Sequence, residues 1–238
     1  MDRVDPYRGG MPTAIVTGAS RGLGLALGRV LARDRWRLVI DARGGEALEH
    51  VRAELAPLTD VVALPGDIAD EEHRRRLIAA AGGRLRLLVN NASVLGPSPQ
   101  PRLADYPLAA LEHVYAVNVL APLALTQLAL PNLLPGARIL NITSDAAVKP
   151  YQGWGGYGSS KAALEQLGNV LAAEHPELRV YTVDPGDMRT QLHQEAFPGE
   201  DISDRPEPEA AVPGLMTLID GDLPSGRYRA ADLVPVPA

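Results

Sequence analysis

Short apolar runs alternate with longer amphipathic stretches along most of this chain, and the alternation limits the possible folds more than any other feature. Each run is apolar at consecutive positions, as strands of a parallel sheet covered on both faces require. The runs predict strands at Ala14–Thr17, Leu38–Asp41, Val61–Leu64, Leu85–Val89, Arg138–Ile142 and Val180–Val183.

The stretches between these runs have the period of amphipathic helices. They are Gly22–Arg33, Glu46–Leu55, Glu71–Ala81, Leu108–Leu134 and Ser159–Glu174. Repeated strand–helix units predict an α/β fold: a single-domain, Rossmann-type, doubly wound parallel sheet of about seven strands with helices on both faces. We assign residues 12–238 to this domain. Residues 1–11 are expected to form a flexible N-terminal extension, and either Met1 or Met11 could be the true start.

The C-terminal part of the chain has a different composition. Residues 198–238 contain seven of the 21 prolines, which predicts a loop, a short helix near Ala210–Ile219 and a last strand at Arg227–Ala230. Ligands of open α/β sheets bind outside the carboxyl ends of the strands. We therefore expect the segment of about 187–222, which follows the sixth strand, to cover the substrate.

Composition excludes several classes of protein. The chain has no cysteine, so disulfides, thiolate metal sites and cysteine nucleophiles are excluded. Its five histidines have no ligand spacing, so no metal site is predicted, and the net charge of −6 predicts no nucleic-acid or membrane partner. The long apolar run Ala116–Leu134 contains Asn118, Gln127, Asn132 and two prolines, which favours a buried or interface helix. We expect a soluble cytoplasmic protein that acts on a small molecule.

A glycine-rich turn, Thr17-Gly18-Ala19-Ser20-Arg21-Gly22-Leu23-Gly24, joins the first predicted strand to the first helix. Glycines let the backbone turn tightly and approach a pyrophosphate, while the helix N-terminus supplies free amides. No Gly-Lys-Ser/Thr follows, so a P-loop is excluded. The TGxxxGxG spacing resembles the nucleotide-binding turn of the short-chain dehydrogenases/reductases.

Further motifs match this family in the same order over about residues 12–230. They are Asp67-Ile68, Asn90-Asn91-Ala92-Ser93 in place of NNAG, Asn118, Ser144, Tyr157, Lys161, Pro185-Gly186 and Thr190. The resemblance implies a dinucleotide-dependent oxidoreductase. It implies cofactor contacts by Gly18, Ser20, Arg21, Gly22, Leu23, Gly24, Arg43, Asp67, Ile68, Asn91, Ala92, Tyr157, Lys161, Pro185, Gly186, Met188 and Thr190.

Four polar residues form the predicted catalytic set: Asn118, Ser144, Tyr157 and Lys161. Hydride transfer to a carbonyl leaves an alkoxide that needs a proton. Lys161 follows Tyr157 by four residues, so on a helix both share one face, and the ammonium is expected to lower the pKa of the tyrosine. By resemblance, Lys161 also holds the nicotinamide ribose, Ser144 donates to the substrate oxygen and Asn118 holds a water. Only Lys149 and Lys161 among the 23 basic residues are lysines, and we expect Lys149 to be solvent-exposed.

Cofactor choice depends on the end of the second strand, Ile40-Asp41-Ala42-Arg43. An acid there favours NAD, whereas arginine favours the 2′-phosphate of NADP. Aligned through Arg43 and Leu48, the discriminating acid of the family falls on Ala42, and Asp41 should face away from the ribose. With Arg21 and Arg43 available, NADP(H) is favoured; NAD(H) is the alternative if the alignment slips by one residue.

The stretch Pro150–Tyr157 is similar to the same stretch of the sepiapterin reductases and bacterial benzil reductases of the family. Trp154 is a candidate for an aromatic-accepting pocket beside Tyr157. The predicted substrate contacts are Val94, Leu95, Ser144, Trp154, Tyr157 and Phe197, with Met188 as a further apolar wall. Asp232 lies in the region where sepiapterin reductase anchors its pterin with an acidic residue.

These residues predict an NADP(H)-dependent reductase that converts a ketone or aldehyde to an alcohol, with Tyr157 as general acid/base. An α-dicarbonyl, an aromatic ketone or a pterin fits as substrate. Two alternatives stay open: a non-catalytic NADP(H)-binding redox sensor on the same fold, and an NAD-dependent alcohol dehydrogenase. The resemblance also implies a homodimer or homotetramer that pairs through the long helices at about 103–134 and 157–174.

Overall fold

All seven strands of the sheet run parallel in the computed structural model, which describes residues 11–233. The predicted extension lies outside the described residues, apart from Met11. The strands are β1 (Thr13–Val16), β2 (Arg37–Ala42), β3 (Val61–Pro65), β4 (Leu85–Asn90), β5 (Leu133–Ile142), β6 (Arg179–Asp184) and β7 (Gly226–Arg229). Their order is β3-β2-β1-β4-β5-β6-β7, so the strand order reverses between β1 and β4. The predicted Rossmann-type α/β fold is confirmed.

Helices cover both faces of this sheet. They are α1 (Gly22–Arg33), α2 (Gly45–Leu55), α3 (Glu71–Ala81), α4 (Leu108–Tyr115), α5 (Ala121–Ala129), α6 (Gly155–Glu174), α7 (Gln191–Ala196) and α8 (Val212–Asp220). Side chains of β2 show how the faces divide. Leu38 and Ile40 pack in the core cluster that includes α1, α2 and α8, whereas Val39 packs in the cluster that includes α3 and α5.

The predicted helix over Leu108–Leu134 forms over Leu108–Asn132, with an irregular middle and an end two residues earlier than predicted. A π-helical segment, Ala116–Leu120, separates α4 from α5, and Leu133 already pairs with Leu85 as the first residue of β5. The physical reason lies in the two prolines: Pro122 has no N–H to continue the preceding helical bonds, and Pro131 ends the helical segment in a 3₁₀ turn.

The same segment, Leu108–Asn132, is long and apolar enough to cross a membrane, with a mean hydropathy of 1.5 in its most apolar window. Its residues Val117, Leu125 and Ala129 are nonetheless buried against the sheet in the core cluster of α3 and α5. The placement agrees with the interpretation of this run as a buried helix.

Helix α6 begins at Gly155, before the predicted start at Ser159. Its early glycines weaken the helical pattern in the sequence, but packing requires one of them. A Cβ at Gly156 would lie 2.3 Å from the Tyr106 ring. Tyr157 therefore lies in the first turn of α6, one turn before Lys161.

The tail contains the predicted helix, which is α8, and the predicted last strand, which is β7. Leu215, Leu218 and Ile219 of α8 are buried in the core cluster that also contains α1. In the tail, Glu207, Pro208 and Glu209 before α8 and Arg229 of β7 border the cavity described next.

Candidate active site

A cavity of about 1680 Å³ opens at the carboxyl ends of the strands. Pockets for single drug-sized ligands usually measure about 300–1,000 Å³, so this cavity has room for a dinucleotide and a substrate together. The glycine turn, the ends of β2, β4, β5 and β6, and helix α7 surround it. It occupies the position at which open α/β sheets bind ligands.

Most of the predicted site residues border this cavity. Those expected to contact the cofactor are Gly18, Ser20, Arg21, Gly22, Leu23, Arg43, Asp67, Ile68, Asn91, Ala92, Tyr157, Lys161, Pro185, Gly186, Met188 and Thr190. Those expected to contact the substrate are Val94, Leu95, Ser144, Trp154, Tyr157 and Phe197. Gly24, Asn118 and Asp232 are not among the lining residues. Gly24 lies beneath the turn, where a Cβ would approach the carbonyl oxygen of Gly18 to 2.5 Å.

The glycine turn has the backbone shape that a pyrophosphate needs. Gly18 has a φ of 66°, which disfavours residues with a side chain, and a Cβ there would lie 2.9 Å from the Cα of Ala92. Asn91 Nδ2 donates to the carbonyl oxygens of Thr17 and Gly18, at 2.8 and 3.1 Å. These bonds fix the turn, which borders the cavity at the N-terminus of α1, where free helix amides suit a phosphate, so the turn fits a dinucleotide.

Tyr157 and Lys161 are both buried, and Lys161 Nζ lies 5.5 Å from the centre of the Tyr157 ring. Lys161 Nζ donates to the carbonyl oxygen of Ile142 at 2.8 Å, which holds the side chain at the end of β5. Burial lowers the pKa of Lys161 from 10.5 to about 8. An ammonium has three donors, so two remain for a ligand.

The expected lowering of the Tyr157 pKa is wrong for the free protein. Burial raises the pKa of Tyr157 well above its ordinary value, the hydrogen bond with Ser93 acts in the opposite direction, and the charges of Asp184 and Asp145 raise it further. Loss of solvation therefore outweighs any charge stabilisation of the phenolate. Tyr157 is held in its protonated form, as a proton donor requires.

Ser144 lies two residues after the end of β5 and precedes a short 3₁₀ turn, Asp145–Ala147. Its Oγ accepts from the amide of Ala146 at 3.2 Å and donates to Asp145 Oδ1 at 3.3 Å. Asp145 Oδ2 in turn accepts from Tyr151 and from Lys149, whose side chain is exposed as expected. The pKa of Asp145 is lowered overall, because hydrogen bonds from Tyr151 and Lys149 together with the Lys149 charge exceed the opposing effect of burial.

Asn118 lies in the π-helical segment, and its side chain already has four protein partners. Oδ1 accepts from Ser93 Oγ at 3.1 Å and from the amide of Val94 at 2.9 Å. Nδ2 donates to Val94 O at 2.9 Å and to Ser160 Oγ at 3.0 Å. The hydrogen-bonding groups of this side chain are therefore occupied, and the water predicted at Asn118 stays a prediction. The side chain joins the end of β4 to α6.

An aromatic cluster lies beside Tyr157 at the border of the cavity. Ring centres of Trp154 are 5.9 Å from those of both Tyr157 and Phe197, and Tyr151 lies 6.2 Å from Trp154. His193 packs on Phe197 with centres 4.9 Å apart. Phe197 is the only phenylalanine in the chain, and it lies in this cluster, between Trp154 and His193.

Sequence reasoning missed three residues that touch the site. Tyr151 and His193 join the aromatic cluster, and no local pattern distinguishes them. Ser93, which hydrogen-bonds Asn118 and Tyr157, could have been found, because it departs from the glycine of NNAG. Among residues 11–233, no group of three or more histidines and carboxylates is arranged to hold a metal ion.

The sequence profile of the short chain dehydrogenase family matches residues 12–201. The chain belongs to the short-chain dehydrogenases/reductases. It is 34% identical over 202 residues to sepiapterin reductase of Bos taurus. The aligned part covers 78% of this chain and 76% of that protein. As a member of this family it is an oxidoreductase acting on CH–OH groups.

Solved structures of short-chain dehydrogenases have the same fold. One from Pseudomonas syringae matches with a TM-score of 0.86 and 29% identity, over 92% of this chain and 94% of that one. A short chain dehydrogenase of Escherichia coli CFT073 in complex with NADPH matches with a TM-score of 0.81 and 28% identity, over 92% and 96%.

Proposed function

We propose that this short-chain dehydrogenase is an NADP(H)-dependent reductase that converts a ketone or aldehyde to an alcohol, with Tyr157 as general acid. The observation that carries the proposal is the buried pair Tyr157–Lys161 on one face of α6, at the border of a cavity whose other end is the glycine turn. Ser144 borders the same cavity. A protein that only senses a dinucleotide has no need of a proton donor placed this way.

The positive charge at the β2 end of the cavity supports NADP(H). Arg43 is exposed directly after β2, and Arg21 is exposed in the glycine turn; both border the cavity. Guanidinium groups bind phosphates with two parallel hydrogen bonds, so either could hold a 2′-phosphate. Arg21 Nη1 donates to Gln191 of α7 in the free protein, a contact that a 2′-phosphate would compete for. The NADPH complex of the Escherichia coli relative supports the same choice.

The proposed chemistry divides between cofactor and chain. The reduced nicotinamide, when bound, supplies the hydride for the carbonyl carbon. Tyr157 Oη gives its proton to the carbonyl oxygen, and Ser144 Oγ donates a hydrogen bond to that oxygen as negative charge develops. Lys161, with two donors left beside Ile142 O, holds the ribose hydroxyls and stabilises the Tyr157 phenolate that results.

The aromatic cluster supports a substrate with a flat apolar part. Trp154 and Phe197 offer ring faces and edges within reach of a group bound beside Tyr157, as aromatic packing prefers. An aromatic ketone, an α-dicarbonyl or a pterin has this shape. Asp232 is exposed and does not border the cavity, so the shape of the cavity offers no support for a pterin anchor at that position.

We further propose a cytoplasmic protein without nucleic-acid or membrane partners that assembles as a homodimer or homotetramer through α4–α5 and α6. Two large apolar side chains on these elements support the assembly. Leu120 is 58% exposed and Val170 of α6 is 43% exposed in the single chain. Sedimentation or light scattering of the purified protein measures the oligomeric state directly.

The proposed activity is tested by following NADPH absorbance with a panel of diketones, aromatic ketones, quinones and pterins. Consumption that depends on substrate is the expected result. Tight NADPH binding without consumption across the panel contradicts the reductase and favours the redox sensor. Consumption of NADH in preference to NADPH favours the NAD-dependent alternative.

A further inference from the structure

His73 of α3 is fully buried beside two residues that border the cavity, Asp41 and Gly66. Its Nε2 is 3.0 Å from Oδ2 of Asp41, at the end of β2. Gly66, which follows β3, packs directly on the ring: a Cβ there would lie 2.3 Å from His73 Nδ1. The histidine therefore contacts the segments that end β2 and β3, both of which border the cavity.

The directions of the hydrogen bonds around His73 follow from its neighbours. Arg76 Nη2 lies 3.3 Å from His73 Nδ1, and because arginine can only donate, Nδ1 accepts. Nε2 then carries the hydrogen and donates it to Asp41 Oδ2. The other carboxylate oxygen, Oδ1, accepts from the amide of Gly18 at 2.7 Å. Both oxygens of Asp41 are thus held, one by α3 and one by the glycine turn.

The alternation of β2 side chains explains why Asp41 reaches His73. Asp41 points to the same face as Val39, toward α3, while Ala42 points to the face of α1 and α2. Asp41 borders the cavity but is only 2% exposed. An acid at the end of this strand accepts from the 2′-hydroxyl of NAD when it faces the ribose, and the same acid would repel a 2′-phosphate.

We propose that His73 is a positioning residue for cofactor selection: it holds the Asp41 carboxylate against the glycine turn and away from the ribose. The 2′-phosphate of NADP(H) then meets Arg21 and Arg43 without an opposing acid. The inference rests on the proposed function and names a residue that sets its cofactor preference. Removing the imidazole donor frees Asp41 Oδ2, and the carboxylate can turn toward the ribose.

Dissociation constants of NADP⁺ and NAD⁺, measured by calorimetry without substrate, test this role. His73→Leu is expected to weaken NADP⁺ binding about tenfold or more, through like-charge repulsion, and to leave NAD⁺ binding unchanged or tighter. The double variant His73→Leu/Asp41→Asn should recover the NADP⁺ preference, because the amide carries no charge. His50→Leu, at an exposed position on α2, is the matched control and should change neither constant.

The outcomes separate the two proposals. Wild-type protein that binds neither dinucleotide, or prefers NAD⁺, contradicts the proposed cofactor and the role of His73 with it. Wild-type preference for NADP⁺ that survives in His73→Leu, or equal weakening of both dinucleotides, contradicts the role of His73 alone. If His73→Leu fails to fold, the ¹⁵N chemical shifts of the wild-type His73 ring test the proposal instead. A hydrogen on Nε2 supports the hydrogen bond from His73 to Asp41, and a hydrogen on Nδ1 overturns it.

Discussion

Lys161 Nζ lies 5.5 Å from the centre of the Tyr157 ring, and burial moves the pKa values of these two groups in opposite directions. The pKa of Tyr157 rises, which keeps its proton on, and that of Lys161 falls to about 8, which makes its proton easier to lose. Transfer of the Tyr157 proton creates a phenolate, whose charge then favours the ammonium of Lys161. The pair is suited to giving a proton to a reacting oxygen.

Replacing Tyr157 by phenylalanine is expected to reduce kcat by about 10²- to 10⁴-fold, since the general acid is removed. NADPH affinity should remain nearly unchanged, because the ring and its packing on Trp154 are retained. The measurements are NADPH consumption and fluorescence titration. Tyr228→Phe is the matched control, because it removes a β7 hydroxyl that donates to the carbonyl oxygen of Pro224, before the strand. Full activity of Tyr157→Phe would remove this residue from the acid role.

The two lysines of the chain allow a matched comparison. Lys161→Arg should abolish turnover, because the planar guanidinium cannot replace a compact ammonium at a position that is 2% exposed. Lys149→Arg should retain activity, since Lys149 is exposed and its ion pair with Asp145 suits arginine equally well. Steady-state kinetics of both variants check this. Equal activity of the two variants would show that position 161 needs only a positive charge.

Arg43→Ala is expected to weaken NADPH about tenfold or more and to affect NADH less, since a charged hydrogen bond to a 2′-phosphate contributes roughly 1.5–3 kcal/mol. Binding titrations with both dinucleotides measure the difference. Arg52→Ala, which removes an exposed arginine paired with Glu49 on α2, serves as control. Equal weakening of NADPH and NADH would contradict the assignment of Arg43 to the phosphate.

The lowered pKa of Lys161 predicts how stability changes with pH. Below pH 8 the folded state carries a buried ammonium; between about 8 and 10.5 the folded state releases the proton while the unfolded chain keeps it, so the free energy of unfolding rises. Relative to Lys161→Met, the wild-type protein should gain roughly 3 kcal/mol over this range. The raised pKa of Tyr157 has the opposite effect above pH 10, but it is present in both proteins.

Urea unfolding of the wild-type protein and Lys161→Met at pH 7, 8, 9 and 10 measures this difference. Lys161→Met should be the more stable of the two at pH 7, and the gap should narrow as the pH rises. A gap that stays constant with pH would show that the lysine is not desolvated in solution. Lys149→Met, at an exposed position, is the control.

Arg227 joins three elements behind Ser144. Its Nε lies 3.0 Å from Glu165 of α6, and its Nη2 lies 3.4 Å from both Asp184 of β6 and the carbonyl oxygen of Ser144. Arg227→Met should lower the free energy of unfolding by about 2–3 kcal/mol, because two nearly buried carboxylates lose their cationic partner and keep only neutral donors. Arg179→Met, which loses a pair with the exposed Asp222, should lower it by less than about 1 kcal/mol. Equal losses in denaturant titrations would contradict a role for the Arg227 network.

Periodicity and spacing alone predicted most of the fold. The bounds of α1 and α3 agree with the prediction at both ends, and the six strands predicted before the tail all form. Those patterns are local, so each helix or strand can be predicted from its own residues alone. Periodicity did not predict the π-helical segment in Leu108–Asn132, because it does not show how Pro122 changes the helical hydrogen bonds before it. It did not predict the early start of α6 either, because Gly156 is accommodated there by packing against Tyr106, far along the chain.

The sequence by itself determined the parallel sheet and the glycine turn, because each depends on residue type and short spacing. Together with the family resemblance it predicted the set Ser144, Tyr157 and Lys161. Only the tertiary structure decided what those residues face. Two contacts join side chains that are more than thirty residues apart: the packing of Trp154 on Phe197 and the hydrogen bond between His73 and Asp41. The tertiary structure also decided that the pKa of Tyr157 rises. Burial depends on everything packed around a side chain, and no local sequence pattern shows it.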